Sequence, residues 1–168
     1  MKNNPIFILK RVRTLTLVFI ILLVLSGVTA FPLQWELSLA EGHEALFPNA
    51  LAILYKKVHQ GIVETNIHYP FLSYGTDWLA FSHIIIALFF IPVIQAPLRY
   101  LGNLEMGIIA CILVFPLAFI CGSLRQIPFF WQLIDCSFGF FGGLLLYSIR
   151  KNVITLKSVL MYSNTTNS

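Results

Sequence analysis

Three apolar runs in the second half of the chain lie so close together that their connections leave one arrangement. Residues 78–98, 104–122 and 127–149 are 19 to 23 residues long, separated by only five residues (99–103) and then four (123–126). About 20 apolar residues cross the roughly 30 Å hydrocarbon core of a bilayer at 1.5 Å per residue. Connections this short make consecutive helices antiparallel neighbours. A further run, residues 14–33, stands nearer the N-terminus behind Lys2, Lys10, Arg11 and Arg13. Composition agrees: 58% of the 168 residues are hydrophobic and 11% charged, less than half the roughly 25% charge of a soluble domain. So few charges cannot cover a soluble surface, which excludes a soluble enzyme or a disordered tail. The expectation is all-α: a single polytopic membrane domain over residues 1–168, with four transmembrane helices.

The formal net charge of +4 invites a nucleic-acid reading, but in a membrane protein basic residues mostly encode orientation, and no nucleic-acid partner is expected. Lys2, Lys10, Arg11, Arg13, Arg99, Arg150, Lys151 and Lys157 fall on one side of the four runs, and only Lys56, Lys57 and Arg125 on the other. Eight against three is a positive-inside bias. It predicts a multi-pass protein of the cell (inner or plasma) membrane with both termini cytoplasmic, an outer segment over residues 34–77, and a cytoplasmic tail over 150–168. The outer segment carries five of the seven acids.

The first run also admits a signal-peptide reading, since Val28-Thr29-Ala30 ends in small residues. The apolar stretch continues past Ala30, which favours an uncleaved helix. In the outer segment Leu51, Leu54, Val58 and Ile62 recur at helical spacing. They predict an amphipathic helix from about residue 49 to 62, lying at the outer surface between the first two spans. Tyr69-Pro70-Phe71 to Tyr74-Gly75 reads as aromatics beside turn residues, forming with Trp78 an aromatic belt. His43-Glu44 opens like a zinc signature, but Phe47 replaces the second histidine, so a metalloprotease is rejected. Glu41, His43 and Glu44 read as a solvated polar turn. Asn164-Thr165-Thr166 is a glycosylation sequon on the expected cytoplasmic side, in what reads as a disordered polar tail. Cys111, Cys121 and Cys136 lack paired spacing and read as packing residues.

Ionisable side chains within apolar spans are costly, at about 2.5–3.5 kcal/mol each on insertion scales, and therefore point to function. Asp135 lies eight residues into the fourth run, too deep for its short stem to reach water. Gln132, Asp135, Gly139 and Gly142 fall within about 80° on one helix face, with Gly143 at its edge. Gly139 and Gly143 also form a small-xxx-small pair suited to close helix packing. His83 shares a narrow face of the second run with Ala80 and Ala87, with Asp77 at its outer edge. Arg125, in the short outer loop, can fold over the same region. His83, Arg125, Asp135 and Asp77 are therefore the candidate binding residues, with a structural polar knot as the alternative. Glu105 opens the third run on the side away from that helix's small residues, and is expected to reach headgroups or Arg99.

Asp77 and His83, then Arg125, then Asp135-x3-Gly139-x2-Gly142 resemble the pattern of the VanZ-like family of small membrane proteins over roughly residues 77–149. Gly139 stands where that pattern has Asn. The resemblance implies a helical bundle with a cell-envelope role in glycopeptide tolerance.

Three functional readings follow. The first is a non-enzymatic envelope protein whose outer-facing polar pocket binds a lipid-linked or cell-wall molecule. The second is a membrane enzyme or proton-coupled transporter using His83 and Asp135 as a relay. The third is a structural or assembly subunit held to a homo-oligomer or membrane partner through the Gly139 to Gly143 face. No nucleotide loop, serine triad or haem ligand pair is present, so no cofactor is expected. No metal site is expected either.

Overall fold

The computed structural model describes residues 4–31, 33–39 and 48–166. The polar turn at Glu41, His43 and Glu44 lies outside them. Every element among the described residues is helical: α1 (Pro5–Ala30), α2 (Leu33–Leu39), α3 (Asn49–His68), α4 (Pro70–Leu88), α5 (Ile91–Gln95), α6 (Leu101–Leu124) and α7 (Phe129–Thr166). Four helical stretches are long and apolar enough to cross a membrane: Pro5–Ala30, Pro70–Gln95, Leu101–Leu124 and Phe129–Tyr162. The chain forms two compact units, Met1–Ile21 with Ala87–Ser168, and Leu22–Ile86.

α1 starts at Pro5 rather than residue 14 and α3 runs on to His68 rather than residue 62; three further boundaries differ from expectation for local reasons. The aromatic stretch read as turn-rich is the start of α4. Pro70 occupies its first position, where a missing N–H costs nothing, while Tyr69 leaves the helical region that a following proline disfavours (φ −138°, ψ 56°). Tyr74, Trp78 and Phe81 then stack edge to face along α4, with centroids 6.0 and 6.2 Å apart. The expected second span is broken. Pro92 cannot donate to Leu88, so α4 stops and α5 restarts after Phe90. With the Val93 N–H turned to the Phe90 carbonyl at 3.1 Å, the Phe89 carbonyl accepts from Asn103 Nδ2 at 2.6 Å. The tail read as disordered continues α7 without a break to Thr166, the last residue of the sequon.

In the first unit Val12, Phe90, Val93, Leu104, Leu146, Ile149 and Val153 pack into one buried cluster, with Phe19 edge-on to Phe90 at 4.8 Å. Thr16 is fully buried but donates to the Val12 carbonyl of its own helix at 2.8 Å, so it brings no unpaired hydroxyl. Pro116 lies within α6 without ending it. Most large apolar side chains on α6 and α7 are exposed, among them Leu113, Leu117, Ile120, Phe138 and Phe141. An exposed apolar surface of this extent is compatible with a lipid-facing one.

In the second unit, Gly27 lets α1 approach α4. A Cβ there would stand 2.6 Å from the Ala80 carbonyl oxygen and 3.0 Å from His83 Cβ. Of the expected apolar face of α3, Leu51, Leu54 and Ile62 are half-buried and Val58 is 38% exposed, while Ile53 is 71% exposed.

Candidate functional site

The turn between α6 and α7 is built as a double-bonded helix stop. Ile127 N–H donates to Gly122 O at 2.8 Å and Gln126 N–H to Ser123 O at 3.1 Å. Such a stop needs a residue with positive φ between them, and Gln126 supplies it at 56°. Glycine is the usual occupant; Gln126 carries the steric cost of a left-handed side-chain residue. Pro128 follows, and α7 begins at Phe129.

Gln132 secures this turn from the first turn of α7. It is only 4% exposed, and its Nε2 donates to the Ile127 carbonyl at 2.8 Å. Its amide lies against Gly122, where a Cβ would stand 2.8 Å from Gln132 Cδ. Its Oε1 is buried without a hydrogen-bond partner, an acceptor left unsatisfied at a cost of about 1–3 kcal/mol.

One turn further along, Asp135 lines a concavity of about 290 Å³ together with Arg125, Cys121, Ala118, Leu117 and Val114. Asp135 is half-buried and Arg125 exposed. The two line one concavity without an ion pair between them; the rest of its wall is mainly apolar. Asp135 sits six residues into α7, or about 9 Å along the axis. Separated opposite charges on an apolar wall suit a ligand that carries both a cation and an anion, or a polar group that donates to one and accepts from the other.

Beyond Asp135 the glycine stripe meets α6. A Cβ at Gly139 would stand 2.8 Å from the Cys111 carbonyl oxygen and 3.2 Å from Val114 Cβ. At Gly142 it would meet Cys111 Sγ at 3.4 Å, and at Gly143 Cys111 Cβ at 3.5 Å. The face considered as a partner's docking surface is thus occupied within the chain. Cys136 is buried, Cys111 half-buried and Cys121 exposed, and all three are free thiols.

Asp77 and His83 belong to the other unit. Asp77 lines a larger concavity, about 830 Å³, with Lys57, His59, Thr65, Ser73 and Thr76 among its walls. Nearby, Ser73 hydrogen-bonds Asn66. His83 lines neither concavity; its Nδ1 lies 2.9 Å from the Leu79 carbonyl of its own helix. The four candidate residues therefore divide between the two units, with only Arg125 and Asp135 sharing a wall.

Glu105 is paired differently from expectation. Its Oε1 accepts from Arg150 Nε at 3.0 Å and Nη2 at 2.9 Å. Although Glu105 lies off the small-residue face of α6, the long arginine stem reaches it from α7. Two other polar contacts in the same unit escaped sequence reading: the Asn103 bond at the α4 break, and Arg13 Nε donating to Ile94 O at 3.0 Å. Helix ends leave carbonyls that need such partners, but sequence does not say which side chain arrives.

Comparison with known protein families, with curated proteins and with solved structures finds no match for this chain.

Proposed function

We propose that this chain is a non-enzymatic integral membrane protein of the cell envelope, inserted in the plasma membrane with both termini cytoplasmic. Its outward-facing concavity at Arg125 and Asp135 binds the charged headgroup of a lipid-linked or cell-wall molecule. The supporting observation is that these two opposite charges line one mainly apolar concavity without pairing. An intramembrane carboxylate without a protein counter-ion is a binding group by default. The orientation rests on the bias of basic residues: Arg150, Lys151 and Lys157 stand on α7 at least 15 residues, or about 22 Å, beyond Asp135. In this reading α3 lies at the outer membrane surface. The cell-envelope role agrees with the VanZ-like resemblance.

The test compares small molecules that co-purify from native membranes with the wild type, with Asp135→Asn and with Arg125→Ala. The expected result is a bound species depleted at least tenfold in both variants, with membrane abundance and melting unchanged. Identical bound species in all three would overturn the proposal. A proton-coupled transporter would instead show pH-dependent flux in reconstituted vesicles, lost in Asp135→Asn; the binding reading expects none.

A further inference from the structure

Four segments of the first unit are in register at one level. Val12, Val93, Leu104 and Ile149 are each fully buried and belong to the same packed cluster. Their immediate sequence neighbours are Arg13, Ile94, Glu105 and Arg150. Those neighbours are joined in pairs: Arg13 Nε donates to the Ile94 carbonyl at 3.0 Å, and Arg150 holds Glu105 Oε1 at 3.0 and 2.9 Å. The level is therefore ringed by polar groups on α1, the end of α5, the start of α6 and the middle of α7. Arg99 follows in the α5–α6 connection, its guanidinium 5.7 Å from the Tyr100 ring centroid.

The charge at this level is unbalanced. Glu105 and Asp135 are the only acids in Met1–Ile21 and Ala87–Ser168, and Asp135 lies 15 residues from Arg150, about 22 Å up α7. Glu105 is already matched by Arg150. Lys10, Arg11, Arg13, Arg99, Lys151 and Lys157 remain in surplus. An orienting charge need only be present, whereas Arg13 is also positioned. Its Nε is anchored on a backbone carbonyl, and its two terminal nitrogens have no protein partner among the described residues. That planar fork matches two phosphate oxygens. Tyr100, packed against the buried cluster and carrying Arg99 over its ring, is the amphipathic ring type that sits at headgroup depth. α7 is 38 residues long, about 57 Å, so it passes well beyond a hydrocarbon core of roughly 30 Å. Lys151 and Lys157 are thereby carried along the headgroup side of the same level.

We infer that this basic collar is a binding site for the phosphate of an anionic glycerophospholipid, with Arg13 as the fork and Arg99, Lys151 and Lys157 supplying the surrounding field. The inference rests on membrane insertion but not on the concavity at Asp135.

The full-length chain, purified in mild detergent, is incubated with phosphatidylglycerol or phosphatidylcholine, and retained lipid is counted by native mass spectrometry at low and high salt. Phosphatidylglycerol should be retained preferentially, and less at high salt. The triple variant Arg99→Gln, Lys151→Gln, Lys157→Gln should weaken that retention by about fivefold for each charge removed. Arg13→Lys, which keeps the charge and loses the fork, should weaken it with helix content unchanged. Asp135→Asn should leave it intact, which separates this site from the outward concavity. Equal retention of the two lipids, or undiminished phosphatidylglycerol retention in the triple variant, would overturn the inference. So would inorganic phosphate displacing the lipid at equal concentration. If Arg13→Lys fails to fold, the triple variant still decides, because its three side chains are exposed.

Discussion

Replacing Gly139 with alanine should drive α6 and α7 apart. The added Cβ would stand 2.8 Å from the Cys111 carbonyl oxygen and 3.2 Å from Val114 Cβ, where ordinary contact begins near 3.4 Å. The nearer obstacle is backbone and cannot rotate away. Overpacking of this kind costs about 1–3 kcal/mol. Against it stands the helix propensity of alanine over glycine, about 1 kcal/mol in water. The net loss is therefore about 1 kcal/mol, small enough to need an internal control. Gly143→Ala is that control. Its Cβ would meet Cys111 Cβ at 3.5 Å, an ordinary contact, so it carries the same propensity gain without the clash. The difference between the two variants removes propensity and leaves the steric cost of about 1–3 kcal/mol. Unfolding in mixed micelles by titration with sodium dodecyl sulfate, followed by helical circular dichroism, reads that difference directly. Gly139→Ala should unfold at lower denaturant than Gly143→Ala. Coincident midpoints, or the reverse order, would refute the close packing of α7 on Cys111.

Other perturbations test the remaining contacts in the same assay. Gln126→Gly should stabilise the chain by about 1 kcal/mol, because φ 56° is strained for glutamine and free for glycine; a loss would mean that the Gln126 side chain makes a compensating contact. Asn103→Ala should cost about 1 kcal/mol or somewhat more by stripping the Phe89 carbonyl of its donor, while Asn103→Asp should not rescue it, since a carboxylate cannot donate. A double-mutant cycle on Glu105→Gln and Arg150→Gln should give a coupling of only about 0.5 kcal/mol that shrinks with salt, since the side chains are 46% and 35% exposed; a salt-independent coupling of several kcal/mol would contradict that exposure.

Much of the helical order was legible in the sequence, because apolar length is a local property. Four long apolar runs became four helices capable of crossing a membrane. The glycines of α7 announced a close approach, since a missing side chain every three or four residues leaves a groove whatever fills it. The ends of elements were harder to read. The stretch from Tyr69 to Gly75 holds turn-forming residues, yet Pro70 at a first helical position starts a helix as readily as it ends one. In the second apolar run Pro92 ends α4 early, and the donor to the Phe89 carbonyl is Asn103, eleven residues past the proline.

For the site, sequence singled out the polar residues but not their grouping. Asp77, His83, Arg125 and Asp135 were identified because ionisable groups in or beside apolar spans are expensive. Which of them share a wall is not encoded in any one helix. It follows from where each helix stops and which face its neighbour covers. The strained turn at Gln126 and the amide of Gln132 against Gly122 put Arg125 and Asp135 on one concavity, while Asp77 lines another.

By itself, then, the sequence determined the local ingredients: four long apolar helices, one carboxylate within the last apolar run and a surplus of basic residues. The tertiary structure decided which polar group answers which, giving Glu105 to Arg150, the Ile94 carbonyl to Arg13 and the Phe89 carbonyl to Asn103. The physical reason is range. Hydrophobic length and helical periodicity act over adjacent turns of one segment, whereas a hydrogen bond across 45 or 81 residues exists only once packing has brought two segments into register.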